Sequence, residues 1–267
     1  MQNKKVLVVS SEVIPYLPQT ERSINSFKIP KQINDAGGQI RIFMPRYGVI
    51  NERRHQLHEV IRLSGINLVI NDMDMPLIIK VASIPKERMQ VYFIDNDEYF
   101  KRKGTLRDGD DKLYADNDER MIFFTKGVIE TVKKLNWSPD IIHFHGWFTA
   151  LFPLYMKTYF SKDPIFENSK LVTSIYPDDL GETLNSEMSK KVAFDCTDAD
   201  LSSLATPQYI ALMQKAIDYS DGLIVAGESL PEEILTYANA AKKPIMSYQD
   251  SKAENSHVQF FNAHFLQ

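Results

Sequence analysis

Lys5-Val6-Leu7-Val8-Val9-Ser10 is the stretch on which the fold turns. It is a short, β-branched run close to the N-terminus, as expected of the first strand of a doubly wound sheet. Residues 21–36 follow with Ile24, Phe27, Ile33 and Ala36 at helical spacing, and they end at Gly37-Gly38, a helix stop signal. Pro30 lies inside this stretch and predicts a kink or a broken start. Residues 39–44 (QIRIFM) read as the next strand. The resulting β-α-β unit implies a parallel sheet with right-handed crossovers.

Strict alternation then lapses. Ile66–Ile70 and residues 77–83 and 89–95 are three strand-like runs with no helix between them. They predict a β-rich excursion with antiparallel members at the sheet edge. Residues 97–118 are polar and rich in Asp, Lys and Gly, which predicts an exposed loop. Residues 120–135 place Met121, Phe124, Val128, Val132 and Leu135 on one helical stripe and feed a strand over 140–144. A helix over 147–159, a strand at Lys170–Ile175, a helix over 206–219, a strand over 222–226 and a helix over 231–242 complete the pattern. Pro231 sits in the first turn of that last helix, and Glu232 and Glu233 suit its positive end. No repeat, low-complexity segment or linker breaks the chain. The expected architecture is α/β: one Rossmann-like, doubly wound, mostly parallel sheet over residues 1–250, then a tail over 251–267.

Composition narrows the partners. The 267 residues are enough for a substantial core, and 43% hydrophobic with 25% charged is ordinary for a globular protein. A net charge of −4 argues against nucleic-acid binding, whose electrostatic footprint is basic. The single cysteine, Cys196, excludes an internal disulfide and points to a reducing compartment. The apolar run at residues 6–10 is too short for a signal peptide or a bilayer span. A cytoplasmic protein with no membrane association is expected.

In open α/β sheets, ligands bind beyond the carboxyl ends of the strands. Three such ends carry suitable groups: Ser10-Ser11-Glu12 leading to Pro15-Tyr16, Pro45-Arg46-Tyr47-Gly48, and His143-Phe144-His145-Gly146-Trp147. His143 and His145 are expected on opposite faces of the strand, unable to share a metal. No CxxC or HExxH spacing occurs, so neither a metal nor another cofactor is expected. No glycine-rich phosphate loop follows the first strand. Plainer roles compete at each position. His143 reads first as a hydrogen-bonded core histidine, and Trp147 either packs on the sheet or stacks on a sugar. Arg46 and Arg120 read first as partners of nearby carboxylates, and the acidic residues 108–111 as a solvated loop.

The same strand ends carry a family resemblance. Val8-Val9-Ser10-Ser11-Glu12-Val13-Ile14-Pro15-Tyr16 resembles the opening V-x-S-E-V-x-P-F/Y of glycogen and starch synthases, and Met44-Pro45-Arg46-Tyr47-Gly48 their M-P-x-Y segment. Val91-Tyr92-Phe93-Ile94-Asp95-Asn96, then Tyr99-Phe100, resembles their Y-F-I-D-N…Y-F run. Asp116-Asn117-Asp118-Glu119-Arg120 matches D-N-x-x-R, and the run from Trp137 to Leu151 resembles W-x-P-D-I-V-H-x-H-D-W-H-T-A-L. These matches cover residues 4–160 in the family's order, with a weaker likeness over 215–235. The resemblance implies the N-terminal half of an enzyme with two Rossmann-like domains, transferring glucose from ADP-glucose to an α-1,4-glucan. It marks Glu12, Tyr16, Tyr47, Asp116, Asn117, Arg120, His143, His145, Trp147 and Thr149 as candidate sugar-binding residues.

The departures fall at functional positions. Where the family has K-T-G-G-L, this chain reads Pro18-Gln19-Thr20-Glu21-Arg22, which removes the lysine and both close-approaching glycines. Gly146 and Phe148 replace the acid and the last histidine of H-D-W-H, and Ser174-Ile175-Tyr176-Pro177 replaces T-I-H-N. A second Rossmann domain does not fit in the remaining residues, so no catalytic residue is assigned and the chain alone is expected to be inactive. Two functions fit this pattern. One is a non-catalytic homologue that binds an α-1,4-glucan or maltooligosaccharide, or partners a true glycogen synthase. The other is a glucosyltransferase subunit whose donor domain lies on a separate chain.

Overall fold

In a computed structural model describing residues 1–266, the six residues Lys5–Ser10 (β1) are the middle strand of the main sheet. The other strands are β2 (Gln39–Pro45), β3 (His58–Glu59), β4 (Ile66–Ile70), β5 (Met73–Ser83), β6 (Gln90–Asp95), β7 (Ile141–His145), β8 (Lys170–Ile175), β9 (Gly222–Val225) and β10 (Ile245–Met246). Their order is β10-β9-β8-β7-β1-β2-β6-β5-β3, and β4 pairs with β5 off this path. Every pairing from β10 to β6 is parallel, whereas β3, β4 and β6 each pair with β5 antiparallel. The β-rich excursion is therefore the antiparallel edge of one mixed sheet. Val6, Val8 and Val9 are fully buried and Leu7 nearly so, which is why the central strand reads as a continuous apolar run rather than an alternating one.

Chain order reverses at β1, which has β2 on one side and β7 on the other. That switch point is where an open α/β sheet offers a crevice beyond its strand ends. The Glu21–Asp35 helix that leads from β1 to β2 starts at a capping box: Thr20 accepts from the Ser23 amide at 3.0 Å, and Ser23 accepts from the Thr20 amide at 2.8 Å. It runs through Pro30 as one continuous helix, so the chain is not broken there. Gly37, at φ 87°, ends it.

Several boundaries differ from the sequence reading. Residues 97–118 are not all exposed loop. The short Asp97–Phe100 helix buries Tyr99 and Phe100, and the long Asn117–Lys134 helix begins inside the stretch with Asn117 and Asp118 buried. The helix expected over 147–159 divides into a 3₁₀ turn at Trp147–Thr149 and a helix at Leu151–Lys157. The segment expected as a tail packs against the domain. Its Ser256–His264 helix buries Phe260 and Phe261, and the Phe265 ring occupies the space that a Cβ on Gly222 would need.

Candidate functional site

β1 and β7 end side by side, with Ser10 opposite His145. Beyond them the backbone turns at Gly146, whose φ of 76° is one that L-residues rarely adopt. A Cβ at this position would lie 2.6 Å from the Nε of Arg22 and 2.8 Å from its Cζ. The guanidinium thus rests directly on the backbone of residue 146, in the space a longer side chain there would fill. Arg22 is only 7% exposed. It pairs with Glu12 at 3.2 Å and with Asp178, donates to Ser11 Oγ at 3.3 Å, and lies 5.1 Å over the Tyr176 ring. Burial works against its charge, but Asp178 and Glu12 outweigh that and hold its pKa above the ordinary value. The Asp178 carboxyl is raised by its own burial, and Arg22 opposes the rise.

The neighbouring helix start is equally committed. Thr20 caps it, and the Thr20 hydroxyl also donates to Glu12 at 2.9 Å. Glu21, in the first turn, accepts from the Tyr248 hydroxyl at 3.0 Å. A helix N-terminus attracts phosphate through free amides and its positive dipole end. Here a side chain satisfies one of those amides, and Glu12 and Glu21 bring negative charge close by.

His143 and His145 do not face opposite ways. Residues two apart on a strand project to the same face, and their ring centroids are 4.1 Å apart. Both are fully buried. His143 bonds Ser174 Oγ at 2.7 Å and His145 bonds the Tyr176 hydroxyl at 2.9 Å, which leaves His143 Nδ1 and His145 Nε2 without partners. His257, from the C-terminal helix, lies 6.3 Å from His143. Burial pushes His145 down to about 3 and His257 to about 4, and holds His143 well below the usual imidazole range. Among the described residues no group of three or more His, Cys, Asp or Glu has the arrangement to hold a metal.

On the β2 side of Arg22 a cleft of about 530 Å³ opens between residues 11–20, Tyr47 and the 103–106 loop. Tyr16 and Tyr47 wall it. Both are buried, and neither hydroxyl has a hydrogen-bond partner. The loop is held from behind by Arg120, which is fully buried and donates to Thr105 O at 2.6 Å and to Asn117 Oδ1 at 2.5 Å. No carboxylate pairs with Arg120 among the described residues, contrary to the sequence reading. Burial lowers its pKa to about 10, and the faces of Tyr47, Phe100 and Tyr114 surround its charge. Asn117 also donates to Leu106 O at 2.9 Å, while Asp116 is occupied by Arg102 at 2.7 Å. Arg46 pairs with Glu52, as expected.

Of the sequence candidates, Glu12, Tyr16 and Tyr47 line this cleft, and Asn117 and Arg120 support its loop. Trp147 is 4% exposed and packs edge-on against Phe148, so it offers a ligand little ring face. Thr149 is buried and donates to Gly146 O at 2.8 Å, fixing the turn. His143 belongs to the core. Sequence reasoning missed Asp178 and Tyr176 as the partners that hold Arg22 down. The available signal was the paired change of an acid to Gly146 and of a donor loop to one ending in Arg22.

A mostly parallel, doubly wound sheet with a crevice at its switch point is an architecture that binds ligands beyond its strand ends. The chain matches the catalytic domain of starch synthase IV from Arabidopsis thaliana, solved bound to ADP and acarbose, with a TM-score of 0.72 over 92% of this chain and 51% of that one. At 15% identity this is a likeness of fold alone. Residues 5–243 match the starch synthase catalytic domain, and the chain belongs to that family. It is 40% identical to a glycogen synthase of Chlorobium limicola over 179 residues, covering 66% of this chain and 36% of that protein. It is 33% identical to a glycogen synthase of Chlorobium phaeovibrioides over 244 residues, covering 90% of this chain and 49% of that protein. The chain thus spans between about a third and a half of the length of these relatives. No helix among the described residues is long and apolar enough to cross a membrane.

Proposed function

We propose that this chain is a non-catalytic, glucan-binding member of its family, acting as a binding or regulatory protein of glucan metabolism. The observation that carries the reading is Arg22. Its guanidinium lies on Gly146 between Glu12 and Asp178, where the family resemblance places an acid and a donor-binding loop. A nucleotide diphosphate would have to displace a buried ion cluster and then meet two uncompensated carboxylates. The cleft beside it suits a neutral polyhydroxylated ligand instead. Two buried tyrosine hydroxyls lack partners there, and sugars are bound by aromatic walls with a few convergent hydrogen-bonding groups.

The test is incorporation of labelled glucose into glycogen from ADP-glucose or UDP-glucose. The purified chain is expected to give none above the no-protein blank. Incorporation that disappears in Glu12→Gln or His145→Ala would overturn the non-catalytic reading.

A further inference from the structure

Tyr16 also walls a second cavity, of about 590 Å³, lined by Arg54, His55, Ser83, Lys86 and Arg88 among others. None of its lining residues is acidic. The nearby carboxylates are committed elsewhere: Glu87 pairs with Lys31 at 2.9 Å, and Glu52 with Arg46 and with Lys80 at 2.7 Å. Arg54, Lys86 and Arg88 are exposed and form no ion pair among the described residues.

Two further features single out this cavity. Lys86 at φ 70° and Arg88 at φ 53° hold left-handed backbone conformations, which cost roughly 1–2 kcal/mol per residue. The free chain gains no ion pair from them. Tyr16 is 6% exposed, its hydroxyl is buried without a partner, and its ring meets that of His55 at 5.1 Å. Three unpaired cations around a concave space with no acid attract anions, and a dianion with several acceptor oxygens suits three donors best. The volume exceeds what a bare phosphate fills and leaves room for a sugar-sized group.

We propose that this cavity binds a small phosphomonoester, with its phosphate held by Arg54, Lys86 and Arg88 and its remainder against the Tyr16 and His55 rings. Tyr16 is shared with the first cleft, but the inference does not rest on the glucan reading. The test is calorimetric titration of the full chain with inorganic phosphate, glucose 1-phosphate and, as the neutral control, glucose. Saturable binding of glucose 1-phosphate is expected, weakened at least about tenfold in Arg54→Ser/Arg88→Ser. Both arginines are exposed, so the melting temperature should hold. Tyr47→Phe, in the other cleft, should leave this binding unchanged. Weaker binding of phosphate than of glucose 1-phosphate is expected from the ring contacts, and phosphate binding as tightly would overturn the placement of the remainder against Tyr16 and His55. No saturable heat, equal affinity for glucose, or affinity unchanged in the double variant would each overturn the proposal.

Discussion

Arg22→Met isolates the ion cluster on which the non-catalytic proposal rests. At an effective dielectric of about 20, charges as close as Arg22 and Glu12, 3.2 Å apart, attract by about 5 kcal/mol. Much of that offsets desolvation, but truncating one member of a buried pair costs about 3–5 kcal/mol because the other charge stays behind. The Glu12 and Asp178 side chains are 20% and 21% exposed. Water therefore takes part of the load, and a loss near the lower end, about 3 kcal/mol, is expected from urea denaturation at pH 7. The loss should depend on pH. Burial already raises the Asp178 carboxyl, and without Arg22 nothing opposes that rise. A carboxyl raised in the folded state favours folding while it is protonated and loses that contribution as pH rises through its folded pKa. The deficit should accordingly shrink as pH falls toward the ordinary carboxylate value of 3.8. Arg22→Met/Asp178→Leu should recover a large part of it, since an apolar replacement of a buried pair is often neutral. A single-variant cost under about 1 kcal/mol with no pH dependence would mean that Arg22 is a solvated surface cation and the site is open.

Three other outcomes follow from the same geometry. Gly146→Ala should cost about 2–4 kcal/mol in urea denaturation through its positive φ and its contact with Arg22, and the contact part should vanish in an Arg22→Met background; an equal cost in both backgrounds would separate the two residues. Tyr47→Phe should change stability by less than about 1 kcal/mol, because its buried hydroxyl has no partner, while maltooligosaccharide affinity falls several-fold; a stability loss above about 2 kcal/mol would place that hydroxyl in an internal bond. His143, His145 and His257 are depressed in the fold from the ordinary 6.5, so their contribution is complete above that value and is lost as pH falls below it. Stability in urea should therefore fall between pH 7 and 5, and less steeply in His257→Phe than in the parent chain; an identical fall in the two would remove His257 from the effect.

The frame was legible in the sequence because its signals are local. The β-branched run of β1, the Gly37-Gly38 stop and the alternation of β4 each state their structure within a few residues. The ends of the middle segment were less so. Residues 97–118 look solvated by composition, yet Arg120 gathers Thr105 and Asn117 around its buried charge, a long-range packing effect that composition does not register. The helix at Ser256–His264 gains its order from the core faces that Phe260 and Phe261 cover. The shared face of His143 and His145 follows from strand geometry alone, since residues two apart project to the same side. At the site, Glu12, Tyr16 and Tyr47 lie in motifs and were readable. The Arg22–Asp178 pair joins residues 156 apart and is set by tertiary structure.

On the proposed function, the cleft takes a neutral glucan and not a nucleotide. Titration calorimetry with maltooligosaccharides and, separately, with ADP and ADP-glucose tests it most directly. Using the Arg54→Ser/Arg88→Ser chain keeps any phosphate binding at the second cavity out of the signal. Weak, saturable maltooligosaccharide binding that Tyr47→Phe reduces is expected, with no nucleotide binding. Tight ADP binding in that chain, with no response to oligosaccharides, would contradict it.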